Sequence, residues 1–225
     1  MGISIHPFEN RAQAGRELAA ALDDLREADC LALAVPRGGV VVGYEVALEL
    51  RIDLDVIVPR KIGAPGQPEL AIGAVASWGD HERIVDSDAV RYLGVDEDYI
   101  DRQVRQELAE VNRRLLAYRG TTEPPDVVDR NVILIDDGIA TGYTTRAAAV
   151  ALRKLGAGEI ILAVPVAPPE ALRAIEPYVD RVVCLKTPTP FMAVGYWYHD
   201  FAQVSDSEVV ELLRKARQDR SDASR

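Results

Sequence analysis

The segment from Val132 to Thr144 constrains the fold more than any other part of the chain. It opens with the apolar run Val-Ile-Leu-Ile and continues with Asp136, Asp137 and a loop rich in glycine and threonine. A short, mostly β-branched run indicates a strand buried on both faces, as in a parallel sheet. Open parallel sheets bind ligands at the carboxyl ends of their strands. The acidic pair therefore marks the expected binding edge of an α/β domain.

The loop after the acidic pair has the composition of a phosphate-binding turn. Gly138 and Gly142 let backbone amides approach an anion at the start of a helix, and Thr141, Thr144 and Thr145 supply hydroxyl donors. Carboxylates repel phosphate, so the two acids would instead accept hydrogen bonds from a ribose diol or help to hold a hydrated Mg²⁺. A Walker loop does not fit, because it needs a longer spacing between its glycines and a following lysine.

This thirteen-residue segment resembles the phosphoribosyl pyrophosphate (PRPP) signature of type I phosphoribosyltransferases. The resemblance implies a Mg²⁺-dependent enzyme that moves the phosphoribosyl group of PRPP to a nitrogen heterocycle and releases pyrophosphate. Asp136 and Asp137 would hold the ribose hydroxyls, act in catalysis and meet the metal only through PRPP or water. The 5′-phosphate would be bound by the residues that follow them, Gly138, Ile139, Ala140, Thr141, Gly142, Tyr143, Thr144 and Thr145.

Two other functions compete with transfer. The first is a regulatory protein that senses PRPP or a nucleotide and keeps the fold without turnover. The second is a receiver-like phosphoacceptor domain, which would use the acidic pair for Mg²⁺ and phosphotransfer but does not explain the glycine- and threonine-rich loop. Pyrophosphate release separates the enzyme from the sensor.

A second candidate loop, Pro36-Arg37-Gly38-Gly39, follows the apolar run from Cys30 to Val35. Its two glycines free backbone amides for a phosphate, and Arg37 adds positive charge. In the family that the chain resembles, the corresponding loop binds the leaving pyrophosphate and often contains a cis peptide bond, which by position would be Pro36-Arg37. An ordinary strand-to-helix turn is the alternative.

The third candidate is the basic pair Arg60 and Lys61 with the glycine- and proline-rich residues after it, which run from Gly63 to Pro68. This composition predicts an irregular, mobile loop. The resemblance places here a catalytic loop that closes over the substrate, with Arg60 and Lys61 facing the pyrophosphate as catalytic residues. An exposed basic pair is the alternative.

The residues from Lys186 to Asp206 predict an irregular segment that carries five of the chain's thirteen aromatic residues. It resembles the hood that closes over the acceptor base in phosphoribosyltransferases. Phe191, Tyr196 and Trp197 are the candidates for stacking on a flat acceptor, and ordinary packing of these rings is the alternative.

Ala140 bears on the identity of the acceptor. In 6-oxopurine phosphoribosyltransferases, the residue three positions beyond the second acid is a carboxylate that manages the proton on purine N7. Alanine can neither take nor give a proton, so we expect hypoxanthine and guanine to be poor acceptors. Adenine, orotate or another flat nitrogen heterocycle remains open.

The rest of the chain predicts one α/β domain over residues 1–225, a parallel sheet with flanking helices in a type I phosphoribosyltransferase-like fold. Apolar spacing predicts strands over residues 30–35, 54–58, 132–135, 160–166 and 181–185. Helices are predicted after Asn10, over residues 40–50, after Thr144, from Pro168 to Pro177, and from Ser205 to about Gln218, before a disordered tail over residues 219–225. The hood covers about residues 186–206.

Residues 60–120 are predicted to form an insertion in this domain. Strands over residues 69–77 and 83–86, joined by a turn over residues 78–81, would make a small antiparallel flap. A long amphipathic helix follows, whose apolar stripe would cover this flap or a second subunit in a homo-oligomer. The stripe consists of Ile100, Val104, Leu108, Val111, Leu115 and Tyr118.

The net charge and the composition limit the kinds of partner that we expect the protein to bind. A net charge of −10 disfavours nucleic acid and anionic membranes, because both would be repelled by the overall field. No apolar run approaches the roughly 20 residues of a membrane span, and the first ten residues lack the pattern of a signal peptide. We therefore expect a cytoplasmic protein whose partners are PRPP and a small heterocyclic acceptor. Cys30 and Cys184 lie in separate apolar runs and are predicted to be buried thiols.

Overall fold

The computed structural model describes residues 7–76 and 82–223, which form two sheets surrounded by helices. The strands in chain order are β1 (Cys30–Ala34), β2 (Asp53–Val56), β3 (Pro59–Ala64), β4 (Gln67–Ala76), β5 (Glu82–Val85), β6 (Asn131–Ile135), β7 (Ile160–Val166) and β8 (Arg181–Lys186). The α-helices are α1 (Arg11–Ala21), α2 (Gly38–Leu50), α3 (Ser87–Leu93), α4 (Glu97–Arg119), α5 (Tyr143–Lys154), α6 (Pro169–Ile175) and α7 (Asp206–Ala223), with 3₁₀ turns at Asp23–Leu25, Glu176–Tyr178 and Val194–Trp197.

The main sheet is fully parallel and has the strand order β2-β1-β6-β7-β8. Most of its strands lie at apolar runs of the sequence, whereas β2 spans Asp53–Val56 instead of the predicted residues 54–58 and contains two acids. Strands β1 and β7 are buried along their whole length. Helices α1 and α2 pack against each other and on this sheet, while α5 lies between β7 and the second sheet. The predicted α/β fold class is confirmed.

The strand order reverses between β1 and β6. The chain passes from β1 to its neighbour β2 on one side, and then returns to β6 on the other side and continues outward to β7 and β8. Ala34, the last residue of β1, pairs with Ile135, the last residue of β6. Ligands of open α/β sheets bind in the crevice outside such a reversal point. The two candidate anion loops, which follow β1 and β6, therefore begin side by side at this crevice.

The second sheet is the predicted flap, and it is larger than the sequence indicated. Strands β3, β4 and β5 form an antiparallel sheet in that order. The prediction of an irregular loop from Gly63 to Pro68 is wrong, because Ala64 pairs with Gln67 and Pro65-Gly66 makes a two-residue turn. A proline followed by a glycine with φ of 70° fits a type II turn, which requires positive φ at its third residue. The turn predicted over residues 78–81 lies outside the described residues.

Helix α4 covers the flap of its own chain. Ile100, Val104 and Leu108 pack with Ile62, Ile72 and other apolar flap residues. The rest of the stripe, Val111, Leu115 and Tyr118, joins the core of the main sheet. The apolar stripe is thus buried within one chain, and its burial needs no second subunit. The short helix α3, capped by the Asp86 side chain, was not predicted.

The carboxyl end of the described chain is helical rather than disordered. Helix α7 starts with the predicted capping box, in which the Glu208 amide donates to Ser205 Oγ and the Ser205 amide donates to Glu208 Oε2. The predicted end near Gln218 and the disordered tail from Asp219 are wrong for residues 219–223. The Tyr44 hydroxyl donates to Asp219 Oδ2 at 2.9 Å, which ties the last turns to α2.

The two cysteines differ in burial. Cys30 is buried as predicted, whereas Cys184 in the edge strand β8 is only half-buried, so that half of the prediction is wrong. Burial of the sulfur atom raises the pKa of Cys184 to about 11, so this thiol is protonated at neutral pH. In the part of the chain that the structure describes, no helix is long and apolar enough to span a bilayer.

Candidate active site

The two candidate anion loops touch each other at the crevice. Helix α2 starts at Gly38, two residues earlier than the sequence predicts, so Gly38 and Gly39 form its first turn. A Cβ atom built on Gly38 would lie 1.8 Å from Asp137 Oδ2, and one on Gly39 would lie 3.0 Å from the Asp136 Cα. Neither position therefore has free space for a side chain. The Pro36-Arg37 bond is cis, as the resemblance implied.

A cavity of about 250 Å³ opens beside the acidic pair, above the start of helix α5. The first amides of a helix have no partner within the helix and point toward such a space. The lining comes from the predicted phosphate loop, the flap and the hood. It consists of Lys61, Ala71, Asp136, Gly138, Ile139, Ala140, Thr141, Gly142, Tyr143, Thr144, Thr145 and Val194.

The two acids have different hydrogen-bond partners. Asp136 lines the cavity, and its Oδ1 accepts a hydrogen bond from the Asp137 amide at 2.8 Å. The Asp137 carboxylate instead accepts a hydrogen bond from Arg11 Nε at 2.7 Å. Both residues follow the last residue of β6, Ile135, and each carboxylate therefore has its own set of neighbours. The expectation that both carboxylates face a ribose stays a prediction, and the structure adds that Asp137 is paired with Arg11.

Burial controls the protonation of this pair. Removal from water raises the pKa of Asp136 well above its usual range, and the nearby charge of Asp137 raises it further. Burial also raises the pKa of Asp137, while the Arg11 guanidinium opposes this rise. Hydroxyl groups that donate to Asp136, or a metal ion beside it, would favour its ionised form.

Of the predicted basic residues, Lys61 lines the cavity and the two arginines make ion pairs elsewhere. Arg60 Nε lies 2.8 Å from Glu107 Oε2 on helix α4. Arg37 Nη1 lies 3.7 Å from Asp206 Oδ1 at the start of helix α7. These ion pairs join Arg60 of the flap to α4 and Arg37 to the start of α7. That Arg37 and Arg60 face a pyrophosphate stays a prediction.

The hood contributes an aliphatic side chain to the cavity wall. Phe191 and Trp197 stack on each other with 6.4 Å between ring centroids, and Tyr196 is 70% exposed. None of these three aromatic residues is among the described residues that line the cavity. The hood residue in that lining is Val194. A Cβ atom built on Gly138 would lie 2.5 Å from Val194 Cγ1, so the hood rests directly on the phosphate loop.

Sequence reasoning missed Arg11 and Val194. Arg11 follows the Asn10 cap in the first turn of α1, where an arginine looks like an ordinary surface residue. Its contact with Asp137 spans 126 residues, and no local pattern encodes such a distance. Val194 lies two residues before Tyr196, in a segment where aromatic residues drew the prediction. No signal in the sequence marked Val194 as a cavity residue.

The residues fit a magnesium ion that arrives with its substrate. Among the described residues, no group of three histidine, cysteine or acidic side chains lies close enough to hold a metal by itself. Mg²⁺ is usually bound through one or two carboxylates together with substrate phosphates and water. The Asp136 carboxylate at the cavity wall is a donor of this kind, and a bound diphosphate would supply the other oxygens.

Comparisons with known proteins agree with this geometry. The family model described as "Phosphoribosyl transferase domain" matches residues 3–200. The chain is 42% identical over 216 residues to proteins named "Putative phosphoribosyl transferase" from two strains of Mycobacterium tuberculosis, CDC 1551 and H37Rv. Each alignment covers 96% of this chain and 48% of the relative, so the chain spans about half the length of these curated relatives.

A solved structure and a further curated protein are also similar to this chain. The crystal structure of a Thermus thermophilus protein aligns with a TM-score of 0.77 and 40% identity, and the alignment covers 93% of this chain and 98% of that one. The chain is 37% identical over 86 residues to a uracil phosphoribosyltransferase of Lactobacillus gasseri, a match that covers 37% of this chain and 41% of the relative. The Thermus match therefore extends the similarity in fold over nearly the whole chain.

Proposed function

Since the chain belongs to the phosphoribosyl transferase domain family, we propose that it transfers the phosphoribosyl group of PRPP to a ring nitrogen of a flat heterocycle and releases pyrophosphate. One observation carries the proposal. Two anion loops meet at the reversal point of the sheet, and Asp136 and Lys61 flank the cavity beside them.

The binding half of the proposal assigns each part of PRPP to a part of the cavity. The amides and hydroxyls from Gly138 to Thr145, at the start of α5, would bind the 5′-phosphate. Asp136 would accept hydrogen bonds from the ribose hydroxyls. The pyrophosphate would lie between the Gly38-Gly39 turn and Lys61, whose ammonium is a point charge suited to phosphate.

The chemical half follows from this placement. The acceptor nitrogen attacks C1 of the ribose, the bond from C1 to the pyrophosphate oxygen breaks, and the electron pair of that bond leaves with pyrophosphate. Positive charge develops on the ribose ring in the transition state, so the Asp136 carboxylate beside it would be stabilising. The proton displaced from the acceptor nitrogen passes to solvent. Mg²⁺, when bound to the diphosphate, would offset the negative charge of the leaving group.

The acceptor is proposed to be a heterocycle other than a 6-oxopurine. Ala140 is exposed on the cavity wall, and its methyl group offers no proton acceptor for purine N7. Adenine and orotate remain candidates, and the uracil phosphoribosyltransferase match adds uracil. Val194, rather than an aromatic hood residue, would contact the acceptor from the side of the phosphate loop.

A specific observation also favours the sensor alternative. Arg37 and Arg60 are held in ion pairs with Asp206 and Glu107, which leaves Lys61 as the predicted basic residue at the cavity. An enzyme has to stabilise the negative charge that grows on the leaving pyrophosphate. A protein that binds PRPP without turnover therefore needs fewer cationic side chains around the pyrophosphate. The sensor function therefore stands as the second proposal.

An assay of pyrophosphate release separates the two functions. The protein is mixed with PRPP, Mg²⁺ and, in separate reactions, adenine, orotate, uracil, hypoxanthine or guanine. The enzyme proposal predicts release of pyrophosphate that depends on the acceptor, with the matching nucleotide formed in equal amount. A reaction without acceptor controls for hydrolysis of PRPP. Tight binding of PRPP with no release for any acceptor would favour the sensor, and no binding at all would contradict both.

A further inference from the structure

The side chain of Tyr143 joins the phosphate loop, residues 138–145, to the flap. Tyr143 is the first residue of helix α5, and its hydroxyl donates to Asp86 Oδ2 at 2.8 Å. Asp86 lies just after β5 and is itself held in place. Its Oδ1 accepts hydrogen bonds from the amides of Asp88 and Ala89, and its own amide donates to the carbonyl oxygen of Ile72 in β4. The Tyr143 hydroxyl is therefore bound to a carboxylate whose position the flap fixes.

The ionisation of the two groups strengthens this hydrogen bond. The Ala89 amide and then the Tyr143 hydroxyl lower the pKa of Asp86 below its usual range, because both donate to its charged form. Burial raises the pKa of Tyr143 above its usual range. At neutral pH a protonated hydroxyl therefore donates to an ionised carboxylate, and charge-assisted hydrogen bonds of this kind are stronger than neutral ones.

The ring of Tyr143 is held as well as its hydroxyl. Arg146, in the next turn of α5, places its Cζ 5.8 Å from the centroid of the Tyr143 ring and 5.0 Å from that of the Tyr178 ring. Arg146 Nη2 also donates to the Tyr178 hydroxyl at 3.1 Å. A guanidinium group within about 6 Å of an aromatic ring is attracted to it. These contacts support the side chain that reaches Asp86 at its ring, while Asp86 holds its hydroxyl.

Small side chains make an apolar contact at the same junction. Four buried alanines pack together between the flap and α5, with Tyr143 against them. They are Ala74 and Ala76 of β4 and Ala147 and Ala151 of α5. Alanine buries little apolar area, so this packing contributes only weakly to holding the flap in one place. The hydrogen bond from Tyr143 adds a directional restraint, which non-directional apolar packing does not provide.

This junction bears on the site because each side of it carries cavity residues. Lys61 and Ala71 of the flap line the cavity, as do Tyr143 and its neighbours in the phosphate loop. Lys61 pairs with Ala74 across β3 and β4, so the seat of the flap on α5 sets the place of Lys61. In the proposed function, the 5′-phosphate binds the loop and the pyrophosphate binds Lys61. Elements held at a fixed separation before binding lose less entropy when one ligand bridges them.

We infer that Tyr143 is a positioning residue of the PRPP site, whose hydroxyl holds the flap against the phosphate loop through Asp86 and so places Lys61 for the pyrophosphate. This inference rests on the proposed function, because it uses the same two phosphate subsites. It assigns the Tyr143 hydroxyl to Asp86 and not to the ligand. The ligand class is a ribose that carries a phosphate at one end and a diphosphate at the other.

Calorimetric titration of PRPP with Mg²⁺ into Y143F tests the inference. Phenylalanine keeps the ring and removes the hydroxyl, so PRPP should bind about 2- to 12-fold more weakly, the range expected for one hydrogen bond. The matched control is Y44F, which removes a tyrosine hydroxyl that donates to Asp219 Oδ2 at 2.9 Å, away from the cavity lining. Y44F should bind PRPP like the wild type. Equal affinity of Y143F and the wild type would overturn the inference and leave the proposed function standing.

A double-mutant cycle with Asp86 separates positioning from direct contact with PRPP. D86S keeps a side-chain cap for α3, and its shorter side chain withdraws the oxygen that Tyr143 binds. D86S should therefore bind PRPP more weakly than the wild type, and D86S/Y143F should bind no more weakly than D86S. A hydroxyl that touches PRPP directly would make Y143F lower the affinity by the same factor in both backgrounds. That result would contradict the assigned role.

The effect of Lys61 supplies a second test, which also serves if D86S does not fold. K61M is compared in the wild-type and Y143F backgrounds. If Tyr143 places Lys61, K61M should lower the affinity for PRPP by a smaller factor in Y143F than in the wild type. A merely structural role for Tyr143 predicts the same factor in both backgrounds, and this outcome would refute the inference. If the wild type itself does not bind PRPP, the proposed function fails and the inference fails with it.

Discussion

Substitution of Gly38 tests the contact between the two anion loops. In Gly38→Ala, the added Cβ atom would lie 1.8 Å from Asp137 Oδ2, 2.6 Å from Asp137 Cγ and 2.7 Å from Arg11 Nε. These distances are far below van der Waals contact, so the ion pair or the start of α2 must move. Because Asp137 and Arg11 are themselves fixed by Tyr198 and Ala202, the movement is not confined to the end of a flexible side chain.

The expected cost follows from this overlap. Inserting a methyl group into a packed site costs typically about 1–3 kcal/mol. For a domain of about 150–250 residues, 1 kcal/mol lowers the melting temperature by about 2–4 °C, so Gly38→Ala should melt about 2–12 °C below the wild type. The displaced ion pair should also weaken PRPP binding, measured by calorimetry on the same protein sample. Circular dichroism provides the melting temperature.

A second glycine serves as the matched control. Gly94, at the end of α3, has φ of 62° and nothing within 4 Å of the position of an added Cβ atom. Alanine in this left-handed conformation costs about 1–2 kcal/mol, which is similar to the loss expected for Gly38→Ala. Gly94→Ala should therefore melt lower than the wild type and bind PRPP normally. If Gly38→Ala shows the melting temperature and the PRPP affinity of the wild type, the proposed contact between the loops is refuted.

Three further outcomes are expected. Lys61→Met should weaken PRPP binding more than Arg60→Met in parallel calorimetric titrations, because Lys61 lines the cavity and Arg60 is paired with Glu107. A larger loss of affinity in Arg60→Met would contradict this assignment and indicate that Arg60 contacts PRPP. Hypoxanthine and guanine should give turnover far below about 1 s⁻¹ in the pyrophosphate assay, because Ala140 carries no proton acceptor; ordinary rates with either base would refute this reasoning. Hydrogen bonds from two arginines lower the pKa of Glu110 from 4.5 to about 2, so Glu110→Gln should lose about 0.2–1 kcal/mol of stability at neutral pH. This loss should disappear as the pH falls from 4.5 to about 2 in a series of urea unfolding curves, and a constant loss would contradict the assigned shift.

The parallel sheet and its binding edge could be predicted because their signals are local. Runs such as Ile160–Val166 are short, apolar and flanked by turn residues, and this one is a strand with those bounds. The Ser205 and Glu208 capping box is likewise encoded within a single turn of the chain. The acidic pair and the loop after it lie within a single stretch of sequence, so their place at the carboxyl end of β6 followed directly.

The incorrect predictions involve contacts between residues that lie far apart in the sequence. The stretch around Pro65-Gly66 looked irregular, yet the same two residues suit a tight turn once β3 and β4 pair and pack on α4. The last turns of α7 looked disordered because the contact between Tyr44 and Asp219 joins residues far apart in sequence. The partner of Asp137 was missed for the same reason.

Calorimetric titration of PRPP and Mg²⁺ into the wild type and into D136N tests the central claim most directly. If Asp136 accepts hydrogen bonds from the ribose, its replacement removes interactions worth about 1.5–3 kcal/mol, which corresponds to roughly 10- to 150-fold in affinity. D126N changes an exposed acid that is not among the residues lining the cavity and serves as the control. The account predicts saturable binding to the wild type and D126N and much weaker binding to D136N. Equal affinity of all three proteins for PRPP, or no binding to the wild type, would contradict it.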